Sequence, residues 1–205
     1  MAIATKFEIN AGQTARFREQ GFLILDRLVD SKTVARLHTR FEKLFNGEFE
    51  TGVTPDEVNW QAGSGDETLT RQICNGWRAD RAIAETVLSE DFGRAVATLG
   101  GWPGARMMID NVLWKPPGAR PLLYHQDSAY LDWYRPSDLL SLWIALDETS
   151  ASGGTLEFVP GSHRWRRALA EGDFHGPEDY RHYLRQAAAA EGISDGEADI
   201  EYVEV

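Results

Sequence analysis

Apolar residues in the first hundred positions recur at helical spacing, and those that follow alternate as they do in strands. Ala11 to Gln20 is predicted as a short helix closed by Gly21, and Gly21 to Leu28 as a strand on its Gly-Phe-Leu-Ile-Leu run. Asp30 or Ser31 caps a longer helix. Its apolar face is Val34, Leu37, Phe41, Leu44 and Phe45, and Gly47 stops it. Residues 47–70, with their Gly, Pro, Asp and Ser, are expected to form an irregular loop. A second helical region runs from about Asp80 to Leu99, with a break near Asp91 to Gly93.

Beyond Gly104 the period changes. Arg106 to Lys115, Leu122 to Asp127, Leu139 to Leu146 and Thr155 to Val159 are predicted as strands, and Ile200 to Val205 opens a further one. On Leu139 to Leu146, Leu140, Leu142, Ile144 and Leu146 share one face, and Ser141, Trp143 and Ala145 the other. Asp179 to Ala190 is predicted as a helix. Helices first and short strands afterwards indicate an α+β class with a mainly β core, a sandwich or barrel of strands.

Composition narrows the setting. The 205 residues carry a net charge of −11, which disfavours nucleic acid or an anionic membrane as partner. No run approaches the length of a membrane span. Met1 to Asn10 lacks the basic-then-apolar pattern of a signal peptide, and Cys74 is the only cysteine. A cytoplasmic location is therefore expected. Residues 171–205 hold ten acidic side chains against Arg181 and Arg185, a solvated segment or an acidic lid that would favour a cationic substrate.

His125-Gln126-Asp127 is the triplet with most chemical content. On a strand, residues i and i+2 share a face, so an imidazole and a carboxylate would project together and offer two ligands to one divalent metal, iron, manganese or zinc. A surface ion pair is the plainer reading of the same spacing. A zinc hydrolase would need further ligands close in sequence, and none are near.

The surroundings of the triplet add to it. Lys115-Pro116-Pro117-Gly118, His125-Gln126-Asp127, Leu142-Trp143-Ile144-Ala145-Leu146-Asp147, and Gly154-Thr155-Leu156 through Pro160-Gly161-Ser162-His163 stand in an order and spacing that resembles the phytanoyl-CoA dioxygenase family of iron(II)- and 2-oxoglutarate-dependent oxygenases. The opening Gly21 to Leu25 followed by a helix is similar to the family's start. The resemblance implies a double-stranded β-helix (a cupin-like jelly roll) flanked by N-terminal helices, with iron(II) as cofactor, 2-oxoglutarate as co-substrate, and dioxygen and a small-molecule substrate as reactants. It implies that His125 and Asp127 are the catalytic metal ligands and that Trp143 lines the 2-oxoglutarate pocket. Asn111, at the same parity as Leu113, is the second candidate for that pocket. Tyr130, Trp133 and Tyr134 follow the ligands and are candidates for a substrate wall, or for a packing cluster. The family's Pro-Gly-Ser-His turn closes a strand, so His163 is not expected on the metal. His38, His175 and His182 are expected at the surface, and Arg164, Arg166 and Arg167 are expected to form a solvated basic edge that answers the acidic segment, the alternative being a site for an anionic carrier such as a coenzyme A phosphate.

Halogenating relatives replace the carboxylate by a small residue, so Asp127 favours a hydroxylase over a halogenase. The expectation is one oxygenase domain over residues 1–205: helical support in 1–104, roll strands with the metal motif in 105–165, an acidic insertion or lid in 166–199, and the start of a further strand in 200–205. The family's distal histidine and its 2-oxoglutarate arginine are expected beyond Val205, so the C-terminal part of the roll is expected to be incomplete. The function expected is oxidation of a small metabolite, in secondary metabolism. The competing reading is a non-catalytic jelly roll that binds a sugar-like molecule.

Overall fold

A computed structural model describes residues 7–60, 63, 65–130, 138–166, 178–197 and 199–204. In chain order the elements are α1 (Ala11–Gln20), α2 (Ser31–Phe45), β1 (Glu57–Val58), β2 (Arg71–Cys74), α3 (Arg81–Val87), α4 (Glu90–Gly100), β3 (Asn111–Trp114), β4 (Glu157–Phe158), α5 (His182–Ala190) and β5 (Glu201–Tyr202). Short 3-10 turns join them. They group into two compact units, one of Met1–Glu8 with Arg27–Ala119, the other of Ile9–Asp26 with Arg120–Val205.

The first unit is an antiparallel sheet in the order β1-β2-β3 with helices on one face. Ile73 pairs with Val112 and Arg71 with Trp114, so these four side chains share a face. Leu37, Leu44 and Phe45 of α2 are buried, and the Phe45 ring meets Trp60 and Trp114 edge-on. The Arg71 guanidinium is stacked between Trp60 at 3.7 Å and Trp114 at 4.5 Å, which lets a cation occupy a buried strand position. Gly76 permits the tight turn after β2, because a Cβ there would press on Val112. Asp80 is fully buried. Its Oδ1 caps α3 by accepting from the Ala82 and Ile83 amides, and its Oδ2 accepts from Arg40 of α2. The carboxylate thus ties two helices together.

In the second unit, α1 opens with a capping box. Asn10 accepts from the Gln13 amide at 2.9 Å, and Gln13 accepts in return from the Asn10 amide. β4 pairs antiparallel with β5. Phe22 is buried and lies flat on Phe158 of β4, ring centres 4.8 Å apart. The Pro-Gly-Ser-His turn closes over the end of α1. Gly161 N–H donates to the Gln20 carbonyl, Arg164 to the Glu19 carbonyl at 2.9 Å, and the His163 ring packs on Gly21, where φ is +89°. The Arg164 guanidinium thus satisfies the last carbonyls of α1 and complements its dipole.

Helix and strand are mixed as expected, but several elements differ. Residues 21–28 carry no ladder; Phe22 is held by ring stacking instead. The helix break lies at Leu88–Ser89, where Ser89 starts α4, and Gly93 stays helical. The strand over 106–115 is confined to β3. The runs 122–127 and 139–146 are not strands. Alternation predisposes a segment to extension, but a ladder needs a neighbour. Here the Tyr124 amide bonds to the Tyr180 carbonyl, and Asp127 starts a 3-10 turn. Leu142 and Trp143 are both exposed, against the face separation expected of a strand. Among the described residues the strands make a three-stranded and a two-stranded sheet, short of a roll.

Asp80→Ala removes the acceptor of both helix-cap bonds and leaves Arg40 without its carboxylate. We expect a loss of about 3–5 kcal/mol in urea denaturation, and a smaller loss for Asp80→Asn, which keeps the cap. A loss below ~1 kcal/mol for the alanine variant would show that Asp80 does not join the helices.

Candidate metal site

His125 lies in an irregular segment and Asp127 opens a 3-10 turn, Asp127–Tyr130, so the two are neighbours without a strand. His125 Nε2 lies 3.3 Å from Asp127 Oδ1. The other ring nitrogen, Nδ1, is 2.9 Å from the Leu123 carbonyl, an oxygen that can only accept. The proton is therefore placed on Nδ1, and the Nε2 lone pair is turned toward the carboxylate when the ring is neutral. Asp127 Oδ2 accepts from the Ser141 hydroxyl. Between the two, the Gln126 amide donates to the Ser162 carbonyl at 3.1 Å and the Trp165 carbonyl at 3.5 Å, which pins the motif to the Pro-Gly-Ser-His turn. Tyr130 closes one side, its ring edge-on to His125 at 5.5 Å.

The electrostatics are those of a coupled pair. Burial of the His125 ring opposes protonation and is the largest single influence. The Asp127 and Leu123 bonds together outweigh it, so the pKa is raised above the usual histidine value. The hydrogen bond from His125 holds the Asp127 carboxyl below the usual carboxylate range against its own burial, with Ser141 adding to the effect. The raised histidine stabilises the fold below its unfolded pKa and loses that contribution as pH rises through the folded value. The depressed aspartate contributes above its unfolded pKa and loses it as pH falls. The pair therefore stabilises most between about pH 4 and 6.5. A metal ion needs the neutral ring, so its affinity rises with pH through the His125 titration.

A neutral imidazole beside a hard carboxylate, 27% and 47% exposed, is a donor set that fits a divalent iron. Among the described residues no third histidine, cysteine or carboxylate completes a cluster with them. His163 is on the end of α1, and His38 and His182 are exposed. Trp143 is 38% exposed, two residues beyond Ser141. Asn111 is in the other unit, on β3, where its carboxamide oxygen accepts from Gln72 and from the Cys74 thiol, both at 3.1 Å. Trp133, Tyr134, Arg167 and His175 lie outside the described residues, and so does part of the acidic insertion. The described part of the insertion is next to the motif, since the Tyr180 carbonyl receives the Tyr124 amide at 3.0 Å. Three features escaped sequence reading: the Leu123 carbonyl, the Gln126 tether and Ser141. The first is backbone and leaves no signal. Ser141 does leave one, as the single hydroxyl in the run Leu139 to Leu146.

Asp127→Asn removes the largest influence that raises the His125 pKa. Its titration, followed by NMR of the ring protons, is expected to move to lower pH. An unchanged midpoint would show that the two side chains are not in contact in solution.

The family model for phytanoyl-CoA dioxygenase (PhyH) matches residues 17–205. A probable α-ketoglutarate-dependent hypophosphite dioxygenase of Stutzerimonas stutzeri is 26% identical over 171 residues, 80% of this chain and 58% of that protein. The human peroxisomal phytanoyl-CoA dioxygenase is 25% identical over 185 residues, 80% of this chain and 53% of that protein. The chain thus spans little more than half the length of these relatives. A match over nearly its whole length, with His125, Asp127 and the Pro-Gly-Ser-His turn inside it, places this chain in the phytanoyl-CoA dioxygenase family.

Proposed function

We propose that residues 1–205 act as one iron(II)- and 2-oxoglutarate-dependent oxygenase domain, built on the family's jelly roll, that hydroxylates a small metabolite. The observation that carries this is the His125–Asp127 contact, with the ring's proton placed by Leu123. When bound, iron(II) with 2-oxoglutarate supplies the activation of dioxygen that oxidises an unactivated C–H bond, with succinate and carbon dioxide as co-products.

The chain's own residues do the rest. His125 offers Nε2 and Asp127 offers Oδ1 to the iron. A third ligand is required by this reading and is not among the described residues. Trp143 is proposed as a wall for 2-oxoglutarate. Tyr130, with Trp133 and Tyr134, is proposed to shape the substrate side and to keep water from the reacting C–H bond. The retained carboxylate of Asp127 favours hydroxylation over halogenation. Secondary metabolism in the cytoplasm remains the proposed setting. The relatives' names specify hypophosphite and phytanoyl-CoA, two unlike substrates. Several acids of the insertion are spent within the protein: Asp179 and Glu197 on Arg185 and Arg181, Glu191 on Arg166. A cationic substrate is therefore not part of the proposal.

Succinate release from 2-oxoglutarate, with iron(II) and a panel of small metabolites, tests the reading in the full chain. Turnover that depends on iron, is stimulated by a metabolite and falls to background in His125→Ala is expected. Trp143→Ala is expected to raise KM for 2-oxoglutarate about tenfold, ~1.4 kcal/mol. Turnover that survives His125→Ala would contradict the ligand assignment. Ligand binding without any succinate would favour the non-catalytic binding protein.

A further inference from the structure

We infer that Ser141 is a positioning residue that restricts Asp127 to a single metal-binding oxygen. The inference rests on the metal reading of the His125–Asp127 pair. An ionised carboxylate has two oxygens and can grip a cation with one or both. Here the two oxygens are already unlike. Oδ1 faces His125 Nε2 at 3.3 Å, on the side where a shared ion would replace that contact. Oδ2 accepts a charge-assisted bond from the Ser141 hydroxyl, on a segment fourteen residues downstream. The bond turns the carboxylate plane so that one oxygen addresses the ring and the other is withdrawn.

The consequence is a coordination count. With Asp127 held to one oxygen, His125 and Asp127 occupy two positions on the ion. A carboxylate free to rotate would meet the ion in poorer alignment, which lowers affinity, and where it bound through both oxygens it would fill a position that co-substrate or dioxygen needs. Ser141 therefore keeps a position open instead of adding a ligand. Both partners are substantially solvent-exposed, so the bond contributes little to folding, and its effect is confined to the site. Outer partners of metal-bound carboxylates act in this way, and their removal typically lowers metal affinity 10- to 100-fold.

Co(II) titration of the full chain tests the inference, because the visible d–d absorption reports coordination number independently of turnover. Ser141→Ala is expected to bind Co(II) at least about tenfold more weakly, with altered d–d intensity and an unchanged thermal midpoint. Ser141→Thr, which keeps the hydroxyl, is expected to restore affinity and spectrum. Unchanged affinity and spectrum in Ser141→Ala, with binding abolished in His125→Ala, would overturn the role of Ser141 and leave the metal reading standing. Failure of Ser141→Thr to restore either property would also overturn it, since packing and not the hydroxyl would then matter. Undiminished Co(II) binding in His125→Ala would overturn the metal reading itself.

Discussion

The hydrogen bond between the His125 ring and the Leu123 carbonyl decides what this site can do. A carbonyl oxygen cannot donate, so the proton has to be on Nδ1, and the remaining nitrogen is left facing Asp127. The opposite tautomer would put a proton between the two groups and leave a carboxylate with a neutral donor, an arrangement that holds itself together and excludes a cation. Two further bonds surround this orientation: the Gln126 side chain ties the segment between His125 and Asp127 to the Pro-Gly-Ser-His turn, and Ser141 donates to the carboxylate.

The tether of Gln126 gives the Pro-Gly-Ser-His turn a structural meaning. His163 and Arg164 close the C-terminus of α1, while the carbonyls of Ser162 and Trp165 receive Gln126. One turn thus anchors a helix on one side and the metal motif on the other. On the opposite flank, Arg181 joins Glu157 of β4, Glu197 and the Tyr202 hydroxyl of β5, and the neighbouring Tyr180 carbonyl holds Tyr124. Glu157 and its neighbours hold the Arg181 guanidinium more firmly protonated than usual despite burial. The motif is therefore held on both flanks, by the Gln126 side chain on one and by the Tyr124 backbone amide on the other.

What was legible in the sequence follows from which interactions are local. Helix caps lie within four residues of what they cap, so Gly21 announces the end of α1 and Asp30 the start of α2. β2 was not legible because Arg71 at a buried strand position contradicts local expectation; besides its local partner Glu67, it is held there by the Trp60 and Trp114 rings, contacts that no local pattern announces. The strands expected at 122–127 and 139–146 had the right alternation, but their pairing depends on partners no local pattern supplies. In the site, spacing announced His125 and Asp127 as neighbours, although the 3-10 turn that starts at Asp127 was not foreseen. The tethers were invisible because each runs between segments far apart or through backbone.

The central claim is that His125 and Asp127 share one divalent ion. Anomalous diffraction from crystals of the full chain soaked with iron(II) under anaerobic conditions addresses it without reference to turnover. The account predicts an iron peak within about 2.2 Å of both His125 Nε2 and Asp127 Oδ1, with Asp127 Oδ2 still on Ser141. Iron bound elsewhere, or His125 and Asp127 still in direct contact at full metal occupancy of another site, would contradict it.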